Sequence, residues 1–524
     1  MKTIYNQSKN LTRLSPLAGT LIGVSILSAL YYAYFIIFET QSSDFILYCL
    51  ILFIEFYVIS TSIFAWWTIM YHEKEPLTSI TKVKNSILKE FLDQKVIIII
   101  TVYTESLEIV EKSIIAAKQV MLCFDVYVGD DSNRPEVKAL AQKYGVKYVT
   151  RTDRKYFKSG NISNVLKDIQ PDYVAIFDVD HIPSPEFIVQ TLPYFSNKAL
   201  AFVQTPQYYT NIENVISRCA SGSQNIFYEL IMPGKNSFNS AFCVGTNVIF
   251  RYKALEETFP AKFFLAEHSE DIWISLKLHQ RGWKSIYIPK VLAKGLAPDN
   301  IIAFFKQQER WARGGYEIFL KSNPLLLSTL NPEQKIQYFF SSIHYFSGFV
   351  ILIYLILPIM YLLFGIKPMH VQSDINWLVH FLPFFASKFI LVLYLMSSFD
   401  VSLISGSFAL FPVYIKAFFK ELFRKDYDWV ATNTNKKVAK KTESVFDYIF
   451  WHIFFLLLSV VAIFVGFLTF EDKTDFIFAS FWTLINSSIL IHFIYNGLRA
   501  HFAKEVVESK PEIITSKNIL NTNI

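Results

Sequence analysis

Apolar positions gather towards the two ends of the chain, and a long segment of mixed pattern separates them. Six stretches are apolar over the roughly 20 residues that a helix needs to cross a bilayer. They are Leu17–Phe38, Phe45–Met70, Tyr338–Phe364, Ile375–Phe399, Phe446–Phe470 and Phe476–Leu498. The first is too long for a cleavable leader, lacks a small-residue cleavage site and runs straight into a second span. The pattern predicts two membrane helices in 1–71, a water-soluble domain in 72–330 and two further helices in 331–400. Two more helices and a short tail are expected in 446–524. Val401–Arg424 is apolar but broken by Pro412, Lys416, Lys420 and Glu421. It reads as an amphipathic helix lying on the membrane surface within the connection 401–445. The alternative is a seventh span, which would move the basic run after it to the opposite side.

Basic residues give the expected orientation. Lys2, Lys9 and Arg13 precede the first span, whereas Glu39–Asp44 has no Lys or Arg. Lys416, Lys420, Arg424, Lys425, Lys436, Lys437, Lys440 and Lys441 crowd the connection before the fifth span, and Glu471–Asp475 is mostly acidic. Both termini and the large insert are therefore expected in the cytoplasm of a multi-pass plasma-membrane protein.

Within the insert, short apolar runs alternate with helical periodicity, which predicts an α/β domain with a mostly parallel sheet. Val96–Val102, Phe124–Val128, Val146–Thr150 and Tyr173–Phe177 read as strands, and Leu107–Val120 as a helix. Two of these strands run into acidic pairs, Asp130-Asp131 and Asp178-Val179-Asp180. In such sheets ligands sit at the carboxyl ends of the strands.

Composition changes this picture little. Only 18% of the 524 residues are charged and 52% are hydrophobic, a balance that suits membrane helices carrying a soluble domain. The net charge of +6 is modest for this length and gives no reason to expect a nucleic-acid partner. Cys49, Cys123, Cys219 and Cys243 have neither metal-ligand spacing nor the context of a small disulfide-stapled domain.

Each motif has a chemical and a plain reading. Asp178 and Asp180 suit a hard divalent cation that also takes phosphate oxygens, and such a cation neutralises a departing diphosphate; a solvated acidic turn is the plain alternative. A carboxylate of Asp130-Asp131 could accept from the imide N–H of a uracil ring, or cap the helix Pro135–Tyr144. Lys158-Ser159-Gly160-Asn161 sets a cation at a helix start, where a phosphate is favoured, or is an ordinary polar turn. Glu270-Asp271 opens a helix running to Gln280 and stabilises its first turn, or supplies a general base for a sugar hydroxyl. In Gln307-Gln308-Glu309-Arg310-Trp311, Arg310 could grip a diphosphate. Trp311 offers a flat face to a sugar ring, or an anchor at the membrane surface.

Together, and in this order, these elements resemble the family 2 glycosyltransferases, and among them the processive bacterial cellulose synthase type. Tyr103-Thr104-Glu105, Thr205-Pro206-Gln207, Phe242-Cys243-Val244-Gly245-Thr246-Asn247, Ser269-Glu270-Asp271, Arg281-Gly282-Trp283-Lys284-Ser285 and Gly295-Leu296-Ala297-Pro298 carry the likeness further. It extends from about Val96 to the C-terminus, where Phe481-Trp482-Thr483-Leu484-Ile485-Asn486 also fits. The resemblance implies a GT-A fold and an inverting single displacement with UDP as leaving group. It gives Tyr103, Glu105, Asp130, Asp131, Lys158 and Asp178 to the nucleotide, and Asp178 and Asp180 to Mg2+ or Mn2+. Asp271 becomes the base with Glu270 beside it, Gln307 and Arg310 hold the diphosphate, and Trp311, Phe242, Cys243 and His181 lie towards the acceptor. Trp429 and Thr432 match the family's gating loop loosely. The departures are small: Thr104 where Asn is usual, Ser132 where Gly is usual, and Ser269 for Thr. The regulatory PilZ domain of many such synthases is not expected, and two N-terminal spans stand where four are usual.

A polar glycan avoids the cost of crossing hydrocarbon only inside a lined path. Glu55, His344, Lys388, Asn486 and His492 are candidate lining residues, or pair helices with one another. The expected partners are a UDP-sugar donor, a growing glycan, membrane lipid and an accessory export subunit. UDP-glucose and a β-glucan lead; a chitin, poly-N-acetylglucosamine or curdlan type of synthase, a single-sugar transferase to a lipid carrier, and a non-catalytic transporter are the competing readings.

Overall fold

The computed structural model describes residues 14–72, 89–260, 269–367, 369–396, 400–423, 443–471 and 473–509. Trp429 and Thr432, the proposed gating-loop residues, lie outside them.

Between the second and third apolar stretches, the described residues build a seven-stranded mixed sheet. Its strands are β1 (Val96–Val102), β2 (Asp125–Asp130), β3 (Lys147–Thr150), β4 (Tyr173–Asp178), β5 (Leu200–Gln204), β6 (Val248–Arg251) and β7 (Lys284–Tyr287). They lie in the order β3-β2-β1-β4-β6-β5-β7. The first four are mutually parallel, β6 runs antiparallel to both of its neighbours, and β7 is parallel to β5. The α/β expectation is therefore met. The last three strands had no matching prediction.

The near-continuous apolar run of β1 follows from burial on both faces. Ile98, Ile100 and Val102 pack in one core with Val110 and Ile114, while Ile97 and Ile99 pack in the other with Ile162, Val165 and Leu166. In register, Val102 stands opposite Asp130 and Thr101 opposite Asp178. Both acidic pairs thus emerge at one level on either side of β1.

Among the described residues, seven helices are long and apolar enough to cross a membrane, as in a multi-pass membrane protein. Six of them overlap the six stretches read from the sequence; the seventh is Val401–Leu422. It consists of two helices, Val401–Ala409 and Phe411–Leu422, broken at Leu410 ahead of Pro412. Half of its most apolar window is buried against protein, compared with 22–33% for the other six. Outside the insert, Gln41–Ser42 pairs with Met369–His370 and ties the ends of two helical hairpins together.

Polar groups within these helices find partners on other helices. Tyr354 Oη donates to Glu55 Oε1 (3.1 Å), and the Asn486 amide donates to the Tyr354 carbonyl (3.0 Å). Lys388 Nζ donates to Ser62 Oγ (3.1 Å), His492 Nδ1 meets Ser405 Oγ (2.9 Å), and the His344 carbonyl accepts from Tyr57 (2.9 Å).

Candidate active site

One cleft lies at the carboxyl ends of β1, β2 and β4. Of the residues singled out in the sequence, Tyr103, Glu105, Asp131, Lys158, Asp178, Asp180, His181, Glu270, Asp271, Gln307, Arg310 and Trp311 all line it. They come from six separate segments of chain.

Two close approaches show how the sequence brings these segments together. Gly314 faces Ser269, and a Cβ there would lie 1.9 Å from Ser269 Oγ, so only glycine lets the helix Ile301–Lys321 settle against the start of the helix Glu270–Gln280. Gly245 has φ +85°, and its Cβ would lie 3.2 Å from Asp271 Oδ2. The Phe242–Asn247 loop passes this close through that glycine. Buried amides fix the loop: Gln204 Oε1 accepts from Val244 N (3.0 Å) and the Gln204 amide donates to the Thr246 carbonyl (2.8 Å).

The charges in the cleft are unevenly matched. Lys158 Nζ pairs with Asp178 and donates to the Gly245 carbonyl (2.7 Å). Burial works against its charge, yet Asp178, Glu270 and Asp271 outweigh burial and hold the ammonium above its usual range. Burial also raises Asp178, but Lys158 and Arg310 bring it below the ordinary carboxylate value. Asp180 receives no side-chain hydrogen bond among the described residues; burial, then the Asp178 charge, pushes it up to about 7. Glu270 rises to about 7 through burial and the neighbouring Asp271. Asp271 is raised by burial while Ile272 N donates to its Oδ1 (2.8 Å). Glu105, which accepts from Tyr103 N (2.7 Å), is raised to about 7 chiefly by burial. Burial lowers His181 to about 4, so it is neutral, and the Asn247 amide donates to its Nδ1 (3.2 Å).

Such a site attracts cations. Asp178 and Asp180 repel one another beside Arg310 and Lys158, and a divalent cation would relieve the repulsion at Asp180. No group of three or more His, Cys, Asp or Glu with metal-holding geometry occurs among the described residues. The donor set therefore fits a hard cation that completes its shell with phosphate oxygens and water.

Three predicted site residues stand outside the cleft wall. Asp130 is fully buried and accepts from Ser132 N (2.8 Å), Arg134 N (2.9 Å) and Tyr148 Oη (3.0 Å). Cys243, within the Phe242–Asn247 loop, is buried, its N–H donated to Ser275 Oγ (2.7 Å). Phe242 packs with Trp273 and Tyr338.

Other cleft residues had no assigned role: Arg154, Asn161, Gln207 and Tyr209. Asn161 and Gln207 sit inside motifs already quoted, and Asn161 donates to the Gly129 carbonyl (2.8 Å). Arg154 and Tyr209 carried no sequence signal, since a lone Arg or Tyr in a loop has no distinguishing pattern.

Residues 173–419 match the family model described as glycosyl transferase family group 2. Over these residues the chain is similar to that family. The match takes in Asp178, Asp180, Asp271, Arg310 and Trp311. Relatives of this domain include the UDP-forming cellulose synthase catalytic subunit of Pseudomonas fluorescens, 31% identical over 53% of this chain and 38% of its own length. That of Xanthomonas axonopodis pv. citri is 32% identical over 48% of this chain and 35% of its own. The chain thus spans little more than a third of the length of these relatives. Among solved structures, a mannosyltransferase from Pyrobaculum calidifontis with GDP-mannose and Mn2+ is 14% identical, covering 71% of this chain and all of its own at a TM-score of 0.48. The mixed sheet, with acidic residues at the ends of parallel strands, resembles the GT-A arrangement.

Proposed function

We propose that the protein is a membrane glycosyltransferase that transfers sugar from a UDP-sugar, by processive inverting displacement, to a growing polysaccharide. One observation carries the reading: Asp180, Asp271, Arg310 and Trp311 line a single cleft although they are far apart in sequence. Tyr103, Glu105, Asp131 and Lys158 would seat the nucleotide. Asp178 and Asp180 would hold Mg2+ or Mn2+, which when bound neutralises charge on the departing diphosphate.

Asp271 takes the proton from the acceptor hydroxyl as its oxygen bonds to the anomeric carbon. On the opposite face the bond from that carbon to UDP breaks. Burial raises the basicity of Asp271 towards the working pH, which suits a general base. Arg310 and Gln307 hold the diphosphate, and Trp311 stacks on the acceptor sugar. The similar proteins named as UDP-forming cellulose synthases support UDP-glucose as donor and a β-glucan as product. The catalytic insert and both termini face the cytoplasm, Phe411–Leu422 lies along the membrane surface, and the polymer leaves through the membrane helices with an accessory export subunit.

The test is a donor screen on purified protein in lipid nanodiscs, with linkage analysis of the product. The expected result is magnesium-dependent UDP release from UDP-glucose with a β-linked polymer. A polymer from UDP-N-acetylglucosamine alone would replace the donor, UDP release without polymer would replace processivity, and no turnover of any nucleotide sugar would overturn the reading.

A further inference from the structure

The helix Ile301–Lys321 presents two different faces. Gln307, Arg310 and Trp311 turn towards the cleft. Gln308, Glu309, Arg313 and Glu317 are buried, and the first three meet the helix Phe411–Leu422. Tyr414 Oη donates to Gln308 Oε1 (3.0 Å). The Glu309 carboxylate pairs with Lys420 and, at 3.1 Å, with Lys416. Arg313 Nη2 reaches Glu421 Oε2 (3.3 Å), and Lys321 bridges Glu317 (2.5 Å) and Glu421 (3.5 Å).

The seam combines apolar packing, with Ala312 and Tyr316 against Val413, Tyr414 and Ala417, with paired charges. The apolar contacts hold the helices together, and buried charge pairs add a requirement for one register. Lys416 and Lys420 are four residues apart, so both project from one side of their helix and close on a single carboxylate. Glu309 is 8% exposed, a position where an unpaired carboxylate would be strongly disfavoured. Burial alone would raise its pKa, but the two lysines outweigh burial and keep it charged. Its neighbour in sequence is Arg310, whose side chain points the other way into the cleft. Turning the helix by one residue, about 100° for 3.6 residues per turn, would carry Arg310 and Trp311 out of the cleft together.

We propose that Glu309 is a positioning residue: locked between Lys416 and Lys420, it sets the rotation and depth of the helix that presents Arg310 and Trp311. The inference rests on the reading of the cleft as a nucleotide-sugar site. It adds that the membrane-side helix Phe411–Leu422 is part of the apparatus that aligns donor and acceptor.

The test compares four full-length proteins: wild type, E309K, the pair K416E/K420E, and the triple variant carrying all three changes, in which the same contacts are rebuilt with signs exchanged. Steady-state kinetics with UDP-glucose are read on the folded, monodisperse fraction. The expected result is a loss of kcat/KM of about 10- to 100-fold in E309K and in K416E/K420E, the scale of a misplaced binding group. Most of the loss should appear as a raised KM for the donor, and the triple variant should recover to within about threefold of wild type. Two results would overturn it: folded E309K with both constants within about twofold of wild type, or a triple variant that is folded yet as impaired as its parents. If wild type itself turns over no nucleotide sugar, the functional reading fails first, and separately.

Discussion

Two acidic pairs end the strands that flank β1, one on each side, yet their carboxylates are placed very differently. Asp130 is enclosed by donors from Ser132, Arg134 and Tyr148. Asp131 reaches the cleft but is held by Arg151 through two contacts of 2.6 and 2.8 Å. Across β1, Asp178 has Lys158 as its ion-pair partner, and Asp180 has no side-chain donor among the described residues. Glu270 and Asp271 complete the under-compensated group. The difference teaches that an acidic pair at a strand end stays available to a cation or a proton only where the surrounding chain withholds its donors. A carboxylate whose hydrogen bonds are all made inside the protein shapes a turn instead.

The largest expected effect belongs to the under-compensated set. Asp271→Asn should lower kcat by about 10²- to 10⁴-fold while UDP affinity, read by calorimetric titration, stays within about threefold of wild type. The enclosed carboxylate should behave in the opposite sense. Asp130→Ala leaves buried donors without an acceptor and should cost about 1–3 kcal/mol of stability, seen as a lower unfolding midpoint, with turnover of the folded fraction reduced far less than in Asp271→Asn. A thermally normal Asp130→Ala protein that had lost its turnover would break the comparison.

The smallest effect is one of pH. Glu105 and Glu270 rise from the ordinary value of 4.5 to about 7 on folding, mainly through burial. Their folded values exceed the unfolded ones, so the folded state binds more protons. The stability this contributes is complete below 4.5 and is lost as pH climbs through about 7. The unfolding midpoint of metal- and nucleotide-free protein should therefore fall between about pH 5 and pH 8. Glu270→Gln should flatten that slope.

Much of this organisation was legible in the chain. The apolar stretches and the strand that became β1 announce themselves through length and β-branched content, because burial on both faces demands uninterrupted hydrophobicity. Each cleft motif alone also reads as a turn, a cap or a membrane anchor; they were legible because they occur together, in one order, within one insert. β5, β6 and β7 escaped prediction because they are short, and their pairing partners are remote in sequence. Asp130 could not be told from Asp131 either. What separates them is the set of donors around each, and Arg151 comes from 20 residues further along the chain. The break at Leu410 was foreshadowed by Pro412. Lys416 and Lys420 of Phe411–Leu422 read as part of the basic run that sets orientation, whereas both turn to Glu309.

The central claim is that Asp180 is left open to help hold a cation shared with a nucleoside diphosphate. Titrating UDP into wild type and Asp180→Asn, each with magnesium and with EDTA, tests it most directly. The account predicts that wild type binds UDP at least about tenfold more tightly with magnesium than with EDTA, and that Asp180→Asn loses most of that difference while its EDTA-state affinity is unchanged. Equal magnesium dependence in the two proteins would contradict it.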